Sequence, residues 1–155
     1  MVRILFSIAL LSLCMPVHAR LGEGGGKCAE RYGSPIRTES IPGGYLCEHQ
    51  KNGFEITIVL INNTCTVMTF SKPGERWSAD EIAVLLDLNG LKDRHQTPTS
   101  QPGLTLWMTR DKSLIGSYDR SGKTLVVGYT AYLARMDENS KNTAAQNARN
   151  ATAGF

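Results

Sequence analysis

The sequence is poor in the residues that usually mark catalytic or metal chemistry. Its four cysteines and three histidines include no C-x-x-C, H-E-x-x-H or G-x-S-x-G spacing, which argues against a structural zinc ribbon, a zinc hydrolase and a serine hydrolase. No block of one charge sign exists either. Apart from Arg3, 16 basic residues face 14 acidic ones, and residues 20–138 hold 14 of each. A nucleic-acid binder concentrates Lys and Arg on one surface, so no nucleic-acid partner is expected. Long apolar runs are absent beyond Ile4–Met15, and no membrane span is expected once that segment is removed. The glycine-rich stretch 21–27 is no phosphate loop, because Leu21 stands where the first glycine belongs and Cys28 where Ser or Thr must hold magnesium. At 155 residues, 41% of them hydrophobic and 20% charged, the chain has the size and composition of one globular domain.

What is present begins with an export pattern. Arg3 supplies positive charge, Ile4–Met15 is apolar, and Val17-His18-Ala19 offers small residues for cleavage. Twelve residues rise only about 18 Å as a helix, short of a hydrocarbon core of roughly 30 Å. Residues 1–19 are therefore expected to be a signal peptide, with a periplasmic or secreted destination. Leu13 before Cys14 disfavours lipidation.

Residues 20–138 are predicted to form a single domain, with a disordered tail over 139–155. Cys28–Tyr32 reads as a short helix stopped by Gly33 and Pro35. Tyr45–Lys51 and Phe54–Ile61 flank Asn52-Gly53, the strongest short hairpin signal, and Cys65–Ser71 returns as a third strand. Ser78 and Glu81 form a capping box, with Trp77 and Ile82 as its hydrophobic staple. The helix should run Ala79–Leu88 and be buried against more than one neighbour, because its apolar residues cover most of its circumference. Polar residues 92–103 read as a loop. Leu104–Arg110, Ser113–Asp119 and Thr124–Leu133 read as strands. The expectation is an α+β fold of two helix-plus-antiparallel-meander units, about 21–72 and 77–134, sharing a core.

Gly22, Cys28, Tyr32-Gly33 and Pro35, with the repeated element order over residues 21–133, resemble small envelope and secreted proteins of the BamE and beta-lactamase-inhibitory-protein type. That resemblance implies a non-enzymatic module that binds proteins. It carries over no binding residue.

The cysteines constrain geometry. In the hairpin register Cys47 lies opposite Ile58, and Cys65 lies opposite Leu60 on the same face, so the two straddle the central strand. They sit about 9–10 Å apart across two strand spacings, beyond the roughly 7 Å reach of a disulfide. Cys28, on the covering helix, is placed to bridge either one. Cys28–Cys47 closes the shorter loop and is the preferred possible disulfide, with Cys65 as the leftover thiol. The alternative is three inert buried thiols.

Trp107, Tyr129 and Tyr132 are candidates for an exposed aromatic interface, a residue type enriched where proteins meet, or for a second core face. His49 and His95 show no ligand spacing, and Asp80 and Glu81 suit helix capping. No catalytic residue, metal or cofactor is expected. The sequence thus points to an exported, non-enzymatic protein-interaction module of the cell envelope, its partner an envelope or secreted protein. The alternatives are a secreted inhibitor of a hydrolase and a small hydrolase or thiol enzyme.

Overall fold

The computed structural model describes residues 20–152, with the backbone alone at residue 140 and residues 144–152. The expected signal peptide, residues 1–19, lies outside them.

Helix α1 (Gly25–Tyr32) is followed by strands β1 (Arg37–Ile41), β2 (Gly44–Lys51), β3 (Phe54–Ile61) and β4 (Thr64–Ser71). Helix α2 (Ala79–Leu88) precedes β5 (His95–Thr97), β6 (Leu104–Met108), β7 (Leu114–Asp119) and β8 (Thr124–Tyr129), and α3 (Thr130–Thr152) closes the described chain. All strands join one antiparallel sheet in the order β1-β2-β3-β4-β8-β7-β6-β5. This corrects the expected fold of two helix-plus-meander units: the described chain is mostly β, built on one continuous sheet. The cause is the β4–β8 pairing, in which Met68 meets Val127 and Phe70 meets Leu125.

Local chemistry explains most elements. Asn52 and Gly53 take φ of 52° and 80°, and Asn62 and Asn63 take 49° and 60°. Such paired left-handed residues make turns whose twist matches antiparallel strands. The first turn sets Lys51 opposite Phe54 and, further along, Cys47 opposite Ile58. At α2, the Ser78 hydroxyl accepts from the Glu81 N–H at 3.1 Å and the Glu81 carboxylate accepts from the Ser78 N–H at 2.9 Å, closing the capping box.

Two strands appear where the sequence predicts loops. Both β1 (RTESI) and β5 (HQT) are polar, almost wholly exposed and at the sheet edges. An edge strand is held by backbone pairing and needs no apolar alternation. The expected strand to Leu133 ends instead at Tyr129, and helical backbone continues through residues predicted to form the tail. Helix α2 buries Ile82 and Leu86 but leaves Val84 52% exposed, so it covers the sheet with one side rather than being enclosed.

Strand alternation puts Ile56, Ile58, Met68, Phe70, Leu125 and Val127 on one face, clustered with Cys28 of α1 and with Ile82 and Leu86 of α2. Helix α3 lies on the opposite face, where Leu133 and Val67 approach Gly128. Among the described residues no helix is long and apolar enough to cross a membrane.

Two substitutions test this construction. A Cβ at Gly44 would lie 1.7 Å from the Leu60 carbonyl oxygen, a backbone atom that cannot move without breaking the β2–β3 ladder. Gly44→Ala is expected to destabilise the fold by about 3 kcal/mol, the upper part of the overpacking range, measured by urea unfolding. Glu81 is the second. The Lys72 ammonium at 2.8 Å, then the Ser78 N–H, hold its pKa down from 4.5 to about 2. A depressed carboxylate stabilises above its unfolded pKa, and that contribution drains away as pH falls through the folded value. Stability should therefore drop between pH 4.5 and about 2, and Glu81→Gln should flatten that part of the pH profile in thermal melts.

Candidate functional site

Helix α2 stops short of covering the far half of the sheet, and an open groove remains between its first turn and the ends of β6, β7 and β8. Its volume is about 710 Å³. Trp77, Trp107, Tyr118, Ile82 and Thr105 form its wall, and Arg76, Arg120 and Lys123 stand around it.

Trp77 anchors the floor. It precedes the α2 N-cap and is 8% exposed. Its indole N–H donates to the Lys123 carbonyl at 2.8 Å, satisfying the one polar atom that burial would otherwise penalise. Phe54 meets the ring edge-on at 5.3 Å and Tyr118 lies tilted at 5.9 Å, distances at which aromatic pairs attract beyond simple area burial. Trp107 and Thr105 reach the groove because they alternate on β6, while register places Trp107 beside Gly116 and Thr105 beside Tyr118. Trp107 and Tyr118 are half-buried, so one surface of each ring remains available.

The cations come from chain junctions. Arg76 lies before the N-cap, and Arg120 and Lys123 flank the β7–β8 turn. Among the described residues none of the three forms an ion pair, in contrast to Lys72, which holds both Glu75 and Glu81. Asp119, the acid nearest in sequence, turns its carboxylate to the N–H and hydroxyl of Ser121. The groove wall holds no carboxylate, imidazole or thiol among its described residues. Cationic groups around aromatic side chains suit a ligand that brings negative charge and apolar surface together.

Of the aromatic residues singled out in the sequence, only Trp107 is here. The Tyr129 hydroxyl lies against Gly22, and Tyr132 lines a separate hollow with Pro42, Gly43, Ile61 and Met136. The three do not form one patch. Sequence reasoning gave Trp77 only a capping role and passed over Tyr118, Arg120 and Lys123. The available signal was the pair of cations bracketing Ser121-Gly122, next to a strand bearing Tyr118.

The three described cysteines, Cys28, Cys47 and Cys65, lie elsewhere, all buried and unbridged. Cys28 and Cys65 belong to one buried cluster, and interaction between their thiols lowers the pKa of Cys28 and raises that of Cys65, whereas the Cys47 sulfur has the Thr38 hydroxyl at 4.0 Å. Both members of the preferred Cys28–Cys47 pair are free thiols. His49, 3% exposed, places Nδ1 3.0 Å from the Gly33 carbonyl. A carbonyl only accepts, so Nδ1 carries the proton. Burial lowers the His49 pKa, partly opposed by that bond. Among the described residues no group of three or more His, Cys, Asp and Glu side chains is placed to hold a metal ion.

The two tryptophans report this geometry separately. With Trp107→Phe, the remaining Trp77 emission should be blue-shifted and poorly quenched by acrylamide. With Trp77→Phe, the remaining Trp107 emission should be red-shifted and readily quenched. Equal quenching of the two variants would contradict the arrangement.

No protein-family model matches the chain, and no curated protein matches it in sequence. Among solved structures it is similar to an extracellular protein containing a SCP domain from Bacillus anthracis, with a TM-score of 0.45, 9% identity, and coverage of 74% of this chain and 46% of that one. A cysteine-rich secretory protein from Staphylococcus aureus gives a TM-score of 0.44 and 7% identity over 74% of this chain and 44% of that one. The chain spans less than half the length of either protein, and a likeness of that size assigns neither fold nor activity.

Proposed function

We propose that this chain is an exported, non-enzymatic protein-interaction module whose groove holds an acidic segment of an envelope or secreted partner. The observation that carries this reading is the group of three cations, Arg76, Arg120 and Lys123, with no ion pair among the described residues, around the half-buried rings of Trp107 and Tyr118. An aromatic or aliphatic side chain of the partner would lie against those rings, while flanking Asp or Glu carboxylates meet the guanidinium groups. Planar guanidinium forks suit carboxylates, which fixes orientation as well as adding attraction. Aromatic residues and arginine are also the types that dominate binding energy at protein interfaces.

Export is supported by the pattern of residues 3–19. Binding without covalent chemistry is supported by the character of the groove wall. It is also supported by burial of the thiols: Cys28 is 2%, Cys47 7% and Cys65 0% exposed. A catalytic thiol needs standing access to its substrate and a base beside it, which transient opening of a helix does not supply, and the His49 Nδ1 proton is directed at Gly33.

A ten-residue peptide of alternating Glu and Phe, titrated against the chain by tryptophan fluorescence, tests the groove. The expected result is a saturable change that weakens with salt and is lost at least about tenfold in the Arg76→Glu/Arg120→Glu variant, the factor set by removing about 1.4 kcal/mol of charged contact. A peptide with Lys for Glu should not bind. Equal binding of both peptides, or no loss in the variant, would contradict the proposal.

A further inference from the structure

We infer that Cys28 and Cys65 are a redox pair that closes into a disulfide joining α1 to β4, leaving Cys47 as the unpaired thiol. The site is assembled by the backbone. The Gly22 N–H donates to the Cys65 carbonyl and the Cys65 N–H donates to the Glu23 carbonyl, each at 2.8 Å, and Gly24 bridges to Thr64. This zips the lead-in of α1 alongside the start of β4. The helix begins at once, and its fourth residue, Cys28, enters the same buried cluster as Cys65. Of α1's residues Cys28 is the buried one, and Tyr32 packs partly buried against the same core beside His49. The Glu23–Arg31 ion pair at 2.6 Å holds the helix against its own lead-in.

Cys47 is arranged differently. Register puts it opposite Ile58 while Cys65 is opposite Leu60, with β3 between them and a bulge at Val59/Leu60. Its neighbour on the other side is Thr38 of the edge strand.

The step is thiol–disulfide exchange with a small disulfide oxidant such as oxidised glutathione. The Cys28 thiolate attacks one sulfur of the oxidant, forming a mixed disulfide and releasing one thiol. The Cys65 thiolate then attacks the Cys28 sulfur and releases the second. The protein loses two protons and two electrons, and the oxidant's S–S bond becomes two S–H groups. The electrostatics support this order. Donation from the Cys65 thiol lowers the Cys28 pKa against the opposing effects of burial and Glu23, while the same hydrogen bond and burial raise that of Cys65. Access comes from α1 itself, a helix of 8 residues at the sheet surface, the kind of short element that opens locally before the core does.

Trypsin makes the test unambiguous, because the cysteines fall in separate segments: Cys14 in 4–20, Cys28 in 28–31, Cys47 in 38–51 and Cys65 in 52–76. The full chain, as isolated, is incubated with oxidised glutathione, its free thiols are alkylated under denaturing conditions, and it is digested without reduction. Segment 28–31 is expected linked to 52–76, with Cys47 alkylated. By loop-closure entropy the bond should raise the folding equilibrium constant by roughly several hundredfold, seen as a higher melting midpoint that reverts on reduction. Cys47→Ser should keep the link and the redox-dependent shift; Cys65→Ser should lose the shift. Linkage of 28–31 to 38–51, or Cys28 and Cys65 both alkylated after oxidation, would overturn the inference, and both outcomes are read on the unsubstituted chain.

Discussion

Met68 against Val127 and Phe70 against Leu125, the facing pairs of β4 and β8, are the contacts on which the remaining structure depends. Each of the four side chains is almost completely removed from solvent, and burial of a side chain of this size is worth roughly 1.5–3 kcal/mol. The surface ion pairs, at about 0–1 kcal/mol each, are small beside that. Because this seam lies at the middle of the strand order, it gives the two halves of the chain one core. Cys28 of α1 and Ile82 and Leu86 of α2 belong to the same buried cluster. Neither helix has enough buried surface of its own to stand apart from the sheet.

The two functional features are consequences of how much sheet the helices leave uncovered. Helix α2 spans only Ala79–Leu88, so the outer strands of its half keep Trp107 and Tyr118 partly bare, and among the described residues the cations around them have no acidic partner. Over the other half, α1 is shorter still and is held through Cys28, Tyr32 and its lead-in. The proposed groove and the proposed thiol pair therefore rest on different parts of the molecule and different physical properties, charge around aromatic rings in one and buried thiols in the other.

The legible parts of the sequence were those with local causes. Asn52-Gly53 set the β2–β3 register, and Ser78 with Glu81 marked the start of α2 within a residue. Edge strands β1 and β5 escaped because polar residues paired through backbone alone carry no periodic signal. The β4–β8 pairing was equally hidden: alternation reveals which side chains share a face but not which distant strand lies beside it. Hence the continuous sheet was missed. The same limit applied to the groove, whose residues are gathered from positions 76 to 123, and to the thiols, where loop length favours Cys47 while the lead-in backbone bonds of Gly22 and Glu23 run to Cys65. The face assignment of Cys47 and Cys65 on either side of β3 came directly from turn chemistry and is matched in the register.

Amide hydrogen exchange in dilute denaturant measures whether the seam unites the molecule. If it does, the paired amides of residues 67–71 and 124–128 are among the slowest, and those of β3 and β7 exchange with the same free energy and denaturant dependence as global unfolding. Exchange of β7 and β8 at a distinctly lower free energy, while β2, β3 and β4 remain protected, would mean two independently stable halves and would contradict the account.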